Sequence, residues 1–158
     1  MARQKGIKII ANNKKAFHDY FIDEKYEAGI ELSGTEVKSI RQGMINLKES
    51  YITVRSGEIW LVGCHISPYE NGGSFNRDPV RDRRLLMHKR EIERLYDVMK
   101  QKGTTLVPTS CYFSNGRVKI EVGVARGKKE YDKREDIAEK DAKRRIARQM
   151  KEDRSGDL

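Results

Sequence analysis

Arginine side chains concentrated in one short segment are the first residues here that suggest a chemical role. Residues 77–84 contain six charged side chains, in the order Arg77, Asp78, Arg81, Asp82, Arg83 and Arg84. A guanidinium group forms paired hydrogen bonds to phosphate oxygens. Glycines and prolines punctuate residues 68–84, which indicates a loop. The segment is therefore a candidate phosphate-binding surface, and the alternative is a solvated loop in which these arginines pair with the neighbouring aspartates.

Residue types that usually carry catalysis are few and poorly spaced. The sequence has three histidines and two cysteines, namely His18, His65, His88, Cys64 and Cys111. None of them has the spacing of a metal site or lies in a nucleophile motif, and no phosphate-binding glycine loop is present. Asp78 and Asp82 resemble the carboxylate pair of a metal-dependent nuclease, but arginines lie between and beside them. We therefore expect no enzyme activity, no metal site and no cofactor.

The charge balance points to a polyanionic partner. The 158 residues include 33 Lys and Arg against 24 Asp and Glu, which gives a net charge of +9 and a pI near 9.6. A domain this basic usually binds nucleic acid, and the alternative is a highly charged solvated surface. No apolar run approaches the roughly 18–20 residues of a membrane helix, and we find no signal-peptide pattern. We expect a cytoplasmic protein with reduced cysteines and no membrane partner.

Hydrophobic spacing predicts the elements that position these residues. Alternating apolar and polar residues predict a strand over 19–32, and Ser33 with Glu36 has the spacing of a helix-capping box. The helix that follows would carry Lys38 and Arg41 on the face away from Val37 and would stop near Gly43. The further predicted elements are strands 51–55 and 58–66, a helix over 85–102, and a hairpin of 104–114 with 117–125 around Asn115-Gly116, with a bulge or edge at Pro108.

The composition changes abruptly after Ala125. Residues 126–158 contain 12 Lys and Arg and 9 Asp and Glu, with Tyr131 as the one aromatic residue. Such a segment buries too little apolar surface to order itself, although good helix formers dominate it. We expect a domain over 1–125 and a basic tail over 126–158 that is disordered when free and helical on a polyanion. The five or six antiparallel strands suit a small barrel of oligonucleotide-binding or Greek-key character.

The polar faces of the predicted strands present Glu27, Glu31 and Lys119 to the outside. A carboxylate repels phosphates but accepts hydrogen bonds from base edges, where sequence information lies. The alternative is ordinary polarity of a solvent-facing strand, and spacing alone favours that alternative.

An ordered set of sequence blocks resembles the SmpB family, the partner of transfer-messenger RNA (tmRNA) in bacterial ribosome rescue. The blocks span residues 8–150 and are NKKA (13–16), YEAGI (26–30), GTEVKS (34–39), DP (78–79), RRLL (83–86), VP (107–108), GKK (127–129) and YDKR (131–134). The resemblance implies an oligonucleotide-binding (OB)-type barrel of six antiparallel strands with about three helices and a tail. It also implies a monomer that delivers alanyl-tmRNA, with EF-Tu·GTP bridged through that RNA, to stalled ribosomes.

The resemblance also implies two sets of contact residues. Those matching the family's contacts to the tRNA-like domain of tmRNA are Asn13, Glu27, Lys38, Arg41, Leu86 and Lys119, although Leu86 equally suits the core stripe of the predicted helix. Those of the tail, which would lie as a helix in the vacant decoding centre and mRNA channel against small-subunit rRNA, are Lys128, Lys129, Tyr131, Asp132, Lys133 and Arg134. Many family members have histidine where this chain has Tyr131, and a phenol keeps the stacking while losing the charge.

Two other functions stay open at this point. One is a generic basic RNA-binding or ribosome-associated protein, which would lose affinity broadly as charges are removed. The other is an RNA-processing enzyme, which would turn over RNA in a metal-dependent reaction.

Overall fold

The computed structural model describes residues 6–128, a mainly β fold with three α-helices. The strands are β1 Ile7–Asn12, β2 Tyr20–Ile30, β3 Ile45–Asn46, β4 Tyr51–Arg55, β5 Glu58–Val62, β6 His65–Ile66, β7 Arg83–Leu86, β8 Thr104–Ser114 and β9 Arg117–Gly127. The helices are α1 Lys14–Asp19, α2 Gly34–Arg41 and α3 Lys89–Met99, and Gly73–Phe75 forms a short 3-10 turn. Nearly all the described residues belong to the first of two units, Met1–Arg126; the second is Gly127–Leu158.

Seven strands form one sheet whose pairings close into a ring. Its order is β1-β8-β4-β5-β7-β2-β9, and β8 also pairs with β9. The ring therefore has six members, and β1 is added beside β8. The 11-residue strand β8 pairs with β9 along one edge, while its other edge meets β4 at Leu106 and β1 over Ser110–Ser114. The prediction of a mainly β fold with about three helices is confirmed. The closed ring has the predicted number of six strands, and residues 6–128 contain three more, β1, β3 and β6.

The local signals around β2, α2 and the β8–β9 hairpin are confirmed. The Ser33 hydroxyl accepts a hydrogen bond from the Glu36 N–H, and the Glu36 carboxylate accepts one from the Ser33 N–H. Gly43 follows the helix with φ +76°. Asn115 and Gly116 both have positive φ, as a tight hairpin turn requires, and the register of the hairpin shifts between Pro108 and Ser110, which is the predicted bulge.

The predicted helix over 85–102 is wrong at its beginning. Leu85 lies in β7, where it pairs with Ile30 and Ile59, and α3 begins only at Lys89. The two adjacent leucines fit a helical stripe as well as a buried strand, and their pairing partners are remote in sequence. The His88 N–H donates to the Glu91 carboxylate, so the helix begins with a local cap after the strand has ended.

The predicted strand over 58–66 is likewise two strands. Gly63 adopts φ +79° and separates β5 from β6, which pairs with β3 instead of staying in the ring. Ile59 and Leu61 are fully buried, whereas Trp60 is half-buried with the Arg55 guanidinium 5.3 Å from its ring.

The side chains of β9 fill the interior of the ring. The side chains that it contributes to the main core are Val118, Ile120, Val122 and Val124, whereas the buried Ala125 belongs to a second, smaller cluster. Gly123 lies on the opposite face of β9. A Cβ at this position would come within 2.7 Å of the Thr109 methyl and 3.1 Å of an Ile22 methyl. The Thr109 hydroxyl donates to Glu121, which fixes the methyl in place.

We predict that Gly123→Ala lowers the free energy of unfolding by about 1–3 kcal/mol, the usual cost of overpacking a core. Urea denaturation monitored by Trp60 fluorescence measures it. Gly34→Ala is the matched control, because a Cβ there meets nothing within 4 Å, and it should leave the protein at least as stable. Equal stability of the Gly123→Ala and native proteins would contradict the predicted clash.

Candidate nucleic-acid interface

Two of the arginines predicted to face phosphate bind a carboxylate of the protein instead, Arg83 from a buried position and Arg81 with its side chain 32% exposed. The Glu36 carboxylate accepts hydrogen bonds from both Arg81 and Arg83, and the side chain of Arg83 is fully buried. Arg83 also donates to the carbonyl oxygens of Cys64, Arg81 and Pro79 at 2.6–3.2 Å. The phosphate-binding interpretation is therefore wrong for Arg83, which is buried. Arg81 is partly exposed and also paired, and for it the interpretation stays a prediction; both arginines hold α2, β7 and the preceding loop together.

The remaining two arginines of residues 77–84 differ from each other. Arg84 lies 3.6 Å from Glu31 and 3.7 Å from Glu58, on the outside of the sheet. Arg77 is exposed and forms no ion pair within residues 6–128. The alternative, in which these arginines pair with neighbouring aspartates, does not describe Asp82 either. Its carboxylate lies 2.7 Å from the guanidinium of Arg55, which is on β4, two strands away from β7 in the sheet. Sequence reasoning missed Glu36 as the partner because it already served as a capping residue.

Two of the predicted RNA contacts, Leu86 and Lys119, line one groove. We call it the strand groove, a volume of about 450 Å³ whose lining is Gly29, Ile30, Leu32, Val37, Leu86, Arg117, Val118 and Lys119. Leu86 is 43% exposed there and is therefore no core residue. It pairs with Gly29, where a Cβ would lie 3.3 Å from the Leu86 Cβ. The glycine therefore leaves room for the Leu86 side chain.

Glu27 stands beside the strand groove and is held by two neighbours. The Tyr112 hydroxyl donates to one carboxylate oxygen, and the Lys119 ammonium lies 4.0 Å from the other. Burial, followed by this hydrogen bond, raises the pKa of Tyr112, so the phenol stays a neutral donor. The Glu27 side chain is about half exposed, and exposed ion pairs of this kind contribute little to stability. The carboxylate and the ammonium therefore keep capacity to bind an external ligand.

Tyr112 is a site residue that sequence reasoning missed, although a signal for it exists. A two-residue Asn115-Gly116 turn pairs Ser114 with Arg117, and counting back along the hairpin brings Tyr112 opposite Lys119. The register of the hairpin thus places Tyr112 beside Lys119. The bulge at Pro108 shifts the register only farther from the turn.

Lys38 and Arg41 lie on different sides of α2. The Arg41 guanidinium is 6.0 Å from the centroid of the Phe113 ring, and Phe113 pairs with Val118 of the strand groove. Val37 lines the same groove one helical turn earlier, so the prediction that Arg41 faces away from Val37 is wrong: a spacing of four residues keeps them on one face. The Lys38 ammonium instead lies 5.5 Å from the Tyr69 ring, in a separate groove.

Asn13 lies away from the strand groove and is 6% exposed. Its side-chain oxygen accepts from the Ala16 N–H and caps α1, while its amide donates to Leu47 and Pro108 carbonyls at 3.3 and 2.8 Å. The polar atoms of this side chain are thus used to anchor α1 at the Pro108 bulge. The structure gives Asn13 a positioning role.

Both cysteines of the chain are buried. Burial raises the pKa of both Cys64 and Cys111 to about 12, so neither forms a thiolate near neutral pH. Within residues 6–128, no three His, Cys, Asp or Glu side chains are placed to hold a metal ion. No helix in the same range has the length and apolar character to cross a membrane.

Of the six predicted tail contacts, Lys128 alone lies within residues 6–128. Lys128 is the last residue described, and β9 runs to Gly127, two residues past the predicted end of the domain. The other predicted tail contacts, Lys129, Tyr131, Asp132, Lys133 and Arg134, lie outside the described residues.

Comparison with protein families decides which group of proteins this arrangement belongs to. A family model described as SmpB protein matches residues 10–152, most of the chain. The chain belongs to the SmpB protein family. The resemblance drawn from the sequence blocks is thereby confirmed. The GTEVKS block lies in α2, and Gly29, Ile30 and Leu86 of the YEAGI and RRLL blocks line the strand groove.

Relatives of this SmpB chain are similar along nearly its whole length. The SsrA-binding protein of Ruminiclostridium cellulolyticum is 64% identical over 149 residues, covering 94% of this chain and 97% of the relative. The SsrA-binding protein of Caldanaerobacter subterraneus is 57% identical over 157 residues, covering 99% of each. A solved structure described as "tmRNA-SmpB: a journey to the center of the bacterial ribosome" is 48% identical with a TM-score of 0.64, covering 74% of this chain and 82% of that one.

The buried ion pairs of Glu36 give a test of stability. We predict that Arg83→Ala lowers the free energy of unfolding by about 3–5 kcal/mol, because it leaves a buried carboxylate short of a partner. Thermal and urea denaturation measure it. Glu58→Gln is the control, since Glu58 meets Arg84 at the surface, and it should change stability by about 0–1 kcal/mol.

The same network predicts a pH dependence. Burial would raise the pKa of Glu36, but hydrogen bonds from Arg81, the Ser33 N–H and Arg83 outweigh burial and hold it below its ordinary value. The stabilisation is therefore complete above the unfolded-state pKa of about 4.3 and is lost as the pH falls through the lower, folded-state pKa. Glu36→Gln should remove that part of the acid sensitivity, and an unchanged pH profile would contradict the assignment.

Proposed function

We propose that this chain is a non-enzymatic RNA adaptor of trans-translation, which binds the tRNA-like domain of tmRNA and brings alanyl-tmRNA to stalled ribosomes. The observation that carries the proposal is membership of the SmpB family together with nearly full-length similarity to proteins called SsrA-binding protein. The structure also supports it, because Leu86 and Lys119 line one groove from two different strands and Glu27 of a third strand lies 4.0 Å from Lys119.

We also propose that the closed ring of six strands is an OB-type barrel. The long hairpin of β8 with β9, the closure through β2 and the single extra strand β1 support this assignment. In such barrels an exposed strand face is the surface that binds oligonucleotides, and the strand groove lies on that kind of face.

Three kinds of side chain lie in or beside the strand groove: acidic, basic and apolar. The Glu27 carboxylate accepts hydrogen bonds from base amino and imino groups, and the neighbouring Lys119 ammonium binds phosphate and offsets the repulsion between the carboxylate and the RNA backbone. Leu86 presents a half-exposed apolar surface against which a base or ribose packs. Arg41, supported by Phe113, adds a cation at the edge of the groove. Phosphate contacts supply affinity, and the carboxylate supplies selectivity for particular bases.

The tail is proposed to act on the ribosome. Residues 126–158 carry 12 Lys and Arg, and a basic segment without a core of its own folds on binding to an rRNA surface. We assign Lys128, Lys129, Lys133 and Arg134 to phosphate contacts in the vacant decoding centre and mRNA channel. Tyr131 would stack on a base there, and Asp132 would cap the N-terminus of the tail helix.

The proposed partners follow from this division of labour. The barrel binds tmRNA, the tail binds small-subunit rRNA, and EF-Tu·GTP joins the same complex through the alanyl-tmRNA that both proteins hold. The proposed adaptor acts as a monomer in the cytoplasm, where stalled ribosomes are. A generic basic RNA-binding protein is the second candidate, favoured by the net charge of +9, and differs in losing affinity with any basic residue removed.

The first prediction concerns the strand groove. Glu27→Ala should weaken binding of the tRNA-like domain roughly 5- to 150-fold, the usual value of a specific base contact. Lys119→Ala should weaken it through loss of a phosphate contact and lower the slope of log K against log salt by about 1. Neither change should shift the melting temperature by more than a few degrees. Fluorescence anisotropy with labelled RNA and excess ordinary tRNA measures it. Lys25 and Glu121 form a matched control, since they pair at 3.5 Å between the same two strands with the charges exchanged. Equal losses from Lys119→Ala and Lys25→Ala, with no loss from Glu27→Ala, would favour the generic binder.

The second prediction concerns the tail. A chain ending at Lys128 keeps all of β9 and should bind the tRNA-like domain as tightly as the full chain, while peptide tagging on stalled ribosomes is lost. Tyr131→Ala should likewise keep RNA affinity and reduce tagging, whereas Tyr131→Phe should tag normally. Loss of RNA affinity on truncation would place recognition in the tail and overturn the two-part model.

A further inference from the structure

A second groove borders α2 on the side opposite the strand groove. We call it the loop groove, a volume of about 520 Å³ lined by Ser33, Gly34, Thr35, Lys38, Tyr69, Asn71, Gly72, Ser74, Phe75, Asn76 and Arg77. Its size is in the range of small-ligand sites, roughly 300–1,000 Å³. The family comparisons assign it nothing.

An exposed phenylalanine is the most unusual feature of the loop groove. Phe75 is 79% exposed, the largest exposure among the large apolar side chains of the described residues. The loop that carries it is held in shape from both sides: Asn76 bonds both the N–H and the carbonyl oxygen of Tyr69, and the Thr35 hydroxyl donates to the Phe75 carbonyl. These hydrogen bonds hold the backbone on both sides of Phe75. The aromatic ring itself is exposed to water, so its apolar surface is not buried.

The charge of the loop groove is of one sign. Lys38 and Arg77 are its cations, and no carboxylate lines it, although the chain has 24 acidic residues. Among the described residues neither cation forms an ion pair; the contact shown for Lys38 is with the Tyr69 ring at 5.5 Å. Arg77 differs in this from Arg81, Arg83 and Arg84, which all face carboxylates. The favoured occupant is therefore an anion with a flat apolar part.

We propose that the loop groove binds an unpaired nucleotide of RNA, with its base stacked on Phe75 and its phosphate between Lys38 and Arg77. Stacking on an aromatic side chain combined with a basic groove is the usual means of holding single-stranded nucleic acid. Asn71 and Ser74 place an amide and a hydroxyl at the rim for base edges or a ribose hydroxyl. This inference deepens the proposed function, on which it rests: it adds a second contact to the same RNA, across α2 from the first.

The test uses the full chain and labelled tRNA-like domain in fluorescence anisotropy. Phe75→Leu keeps an apolar side chain but cannot stack, and it should weaken binding roughly 5- to 150-fold; Phe75→Trp should bind at least as tightly as the native protein. Lys38→Gln and Arg77→Gln should each reduce the slope of log K against log salt by about 0.7. Tyr96→Leu and Lys100→Gln are the controls, since Lys100 lies 4.2 Å from the Tyr96 ring on α3, and they should change neither quantity.

A second probe separates failure of this inference from failure of the proposed function. A short single-stranded RNA containing 4-thiouridine is photocrosslinked to the protein, and the linked peptides are identified by mass spectrometry. If the native chain binds the tRNA-like domain and Phe75→Leu binds it equally well, the loop-groove site is overturned and the proposed function stands. If the native chain does not select the tRNA-like domain, the proposed function fails, and a crosslink at residues 69–77 that Phe75→Leu abolishes still supports the groove, whereas crosslinks elsewhere overturn it.

Discussion

The buried contact between the Glu36 carboxylate and the Arg83 guanidinium is the interaction on which both grooves depend. Arg83 has no exposed surface, and its donors reach Glu36 and three backbone carbonyls. A buried charge of this kind is tolerated only when its hydrogen bonds are complete. The contact joins α2 to β7 and to the loop before it. Since α2 contributes to both grooves and β7 contributes Leu86, one ionic contact sets the relative positions of the surfaces proposed to bind RNA.

The chain divides its arginines between two uses. Those with a carboxylate or several carbonyls in reach serve the fold, as Arg83 does with Glu36 and Arg94 does with Glu24 and Tyr26. Arg77, Lys38 and Lys119 of the two grooves make fewer such contacts, so their charged groups are available to a ligand. The net charge of +9 therefore says that a polyanion is the partner, but it does not say which cations meet it. Burial and pairing make that distinction.

Local signals were readable in the sequence because their partners lie within a few residues. The capping box of Ser33 and Glu36 and the hairpin at Asn115-Gly116 are of this kind, and the resemblance to SmpB supplied the candidate contacts. What the sequence could not show was pairing over long separations. The spacing of Leu85 and Leu86 predicts a helix because their strand partners are distant: Leu85 pairs with Ile30 and Ile59, and Leu86 with Gly29. The sequence likewise predicts a surface position for Arg83 because its partner Glu36 lies 47 residues away. The buried hydrogen-bond partners of Asn13, the carbonyls of Leu47 and Pro108, are also remote in sequence, while its contact with RNA stays a prediction.

The position of β8 in the chain has a consequence for biosynthesis. This strand pairs with β1, β4 and β9, and it lies at residues 104–114, late in the described sequence. A chain emerging from the ribosome therefore carries β1 and β4 with open edges until about two thirds of it has been made, and the ring closes only when β9 follows. Long-range strand pairing of this kind is slow, and open edges invite association with other chains. Newly made copies of this protein are thus most exposed to aggregation while they are still attached to the machinery that makes them.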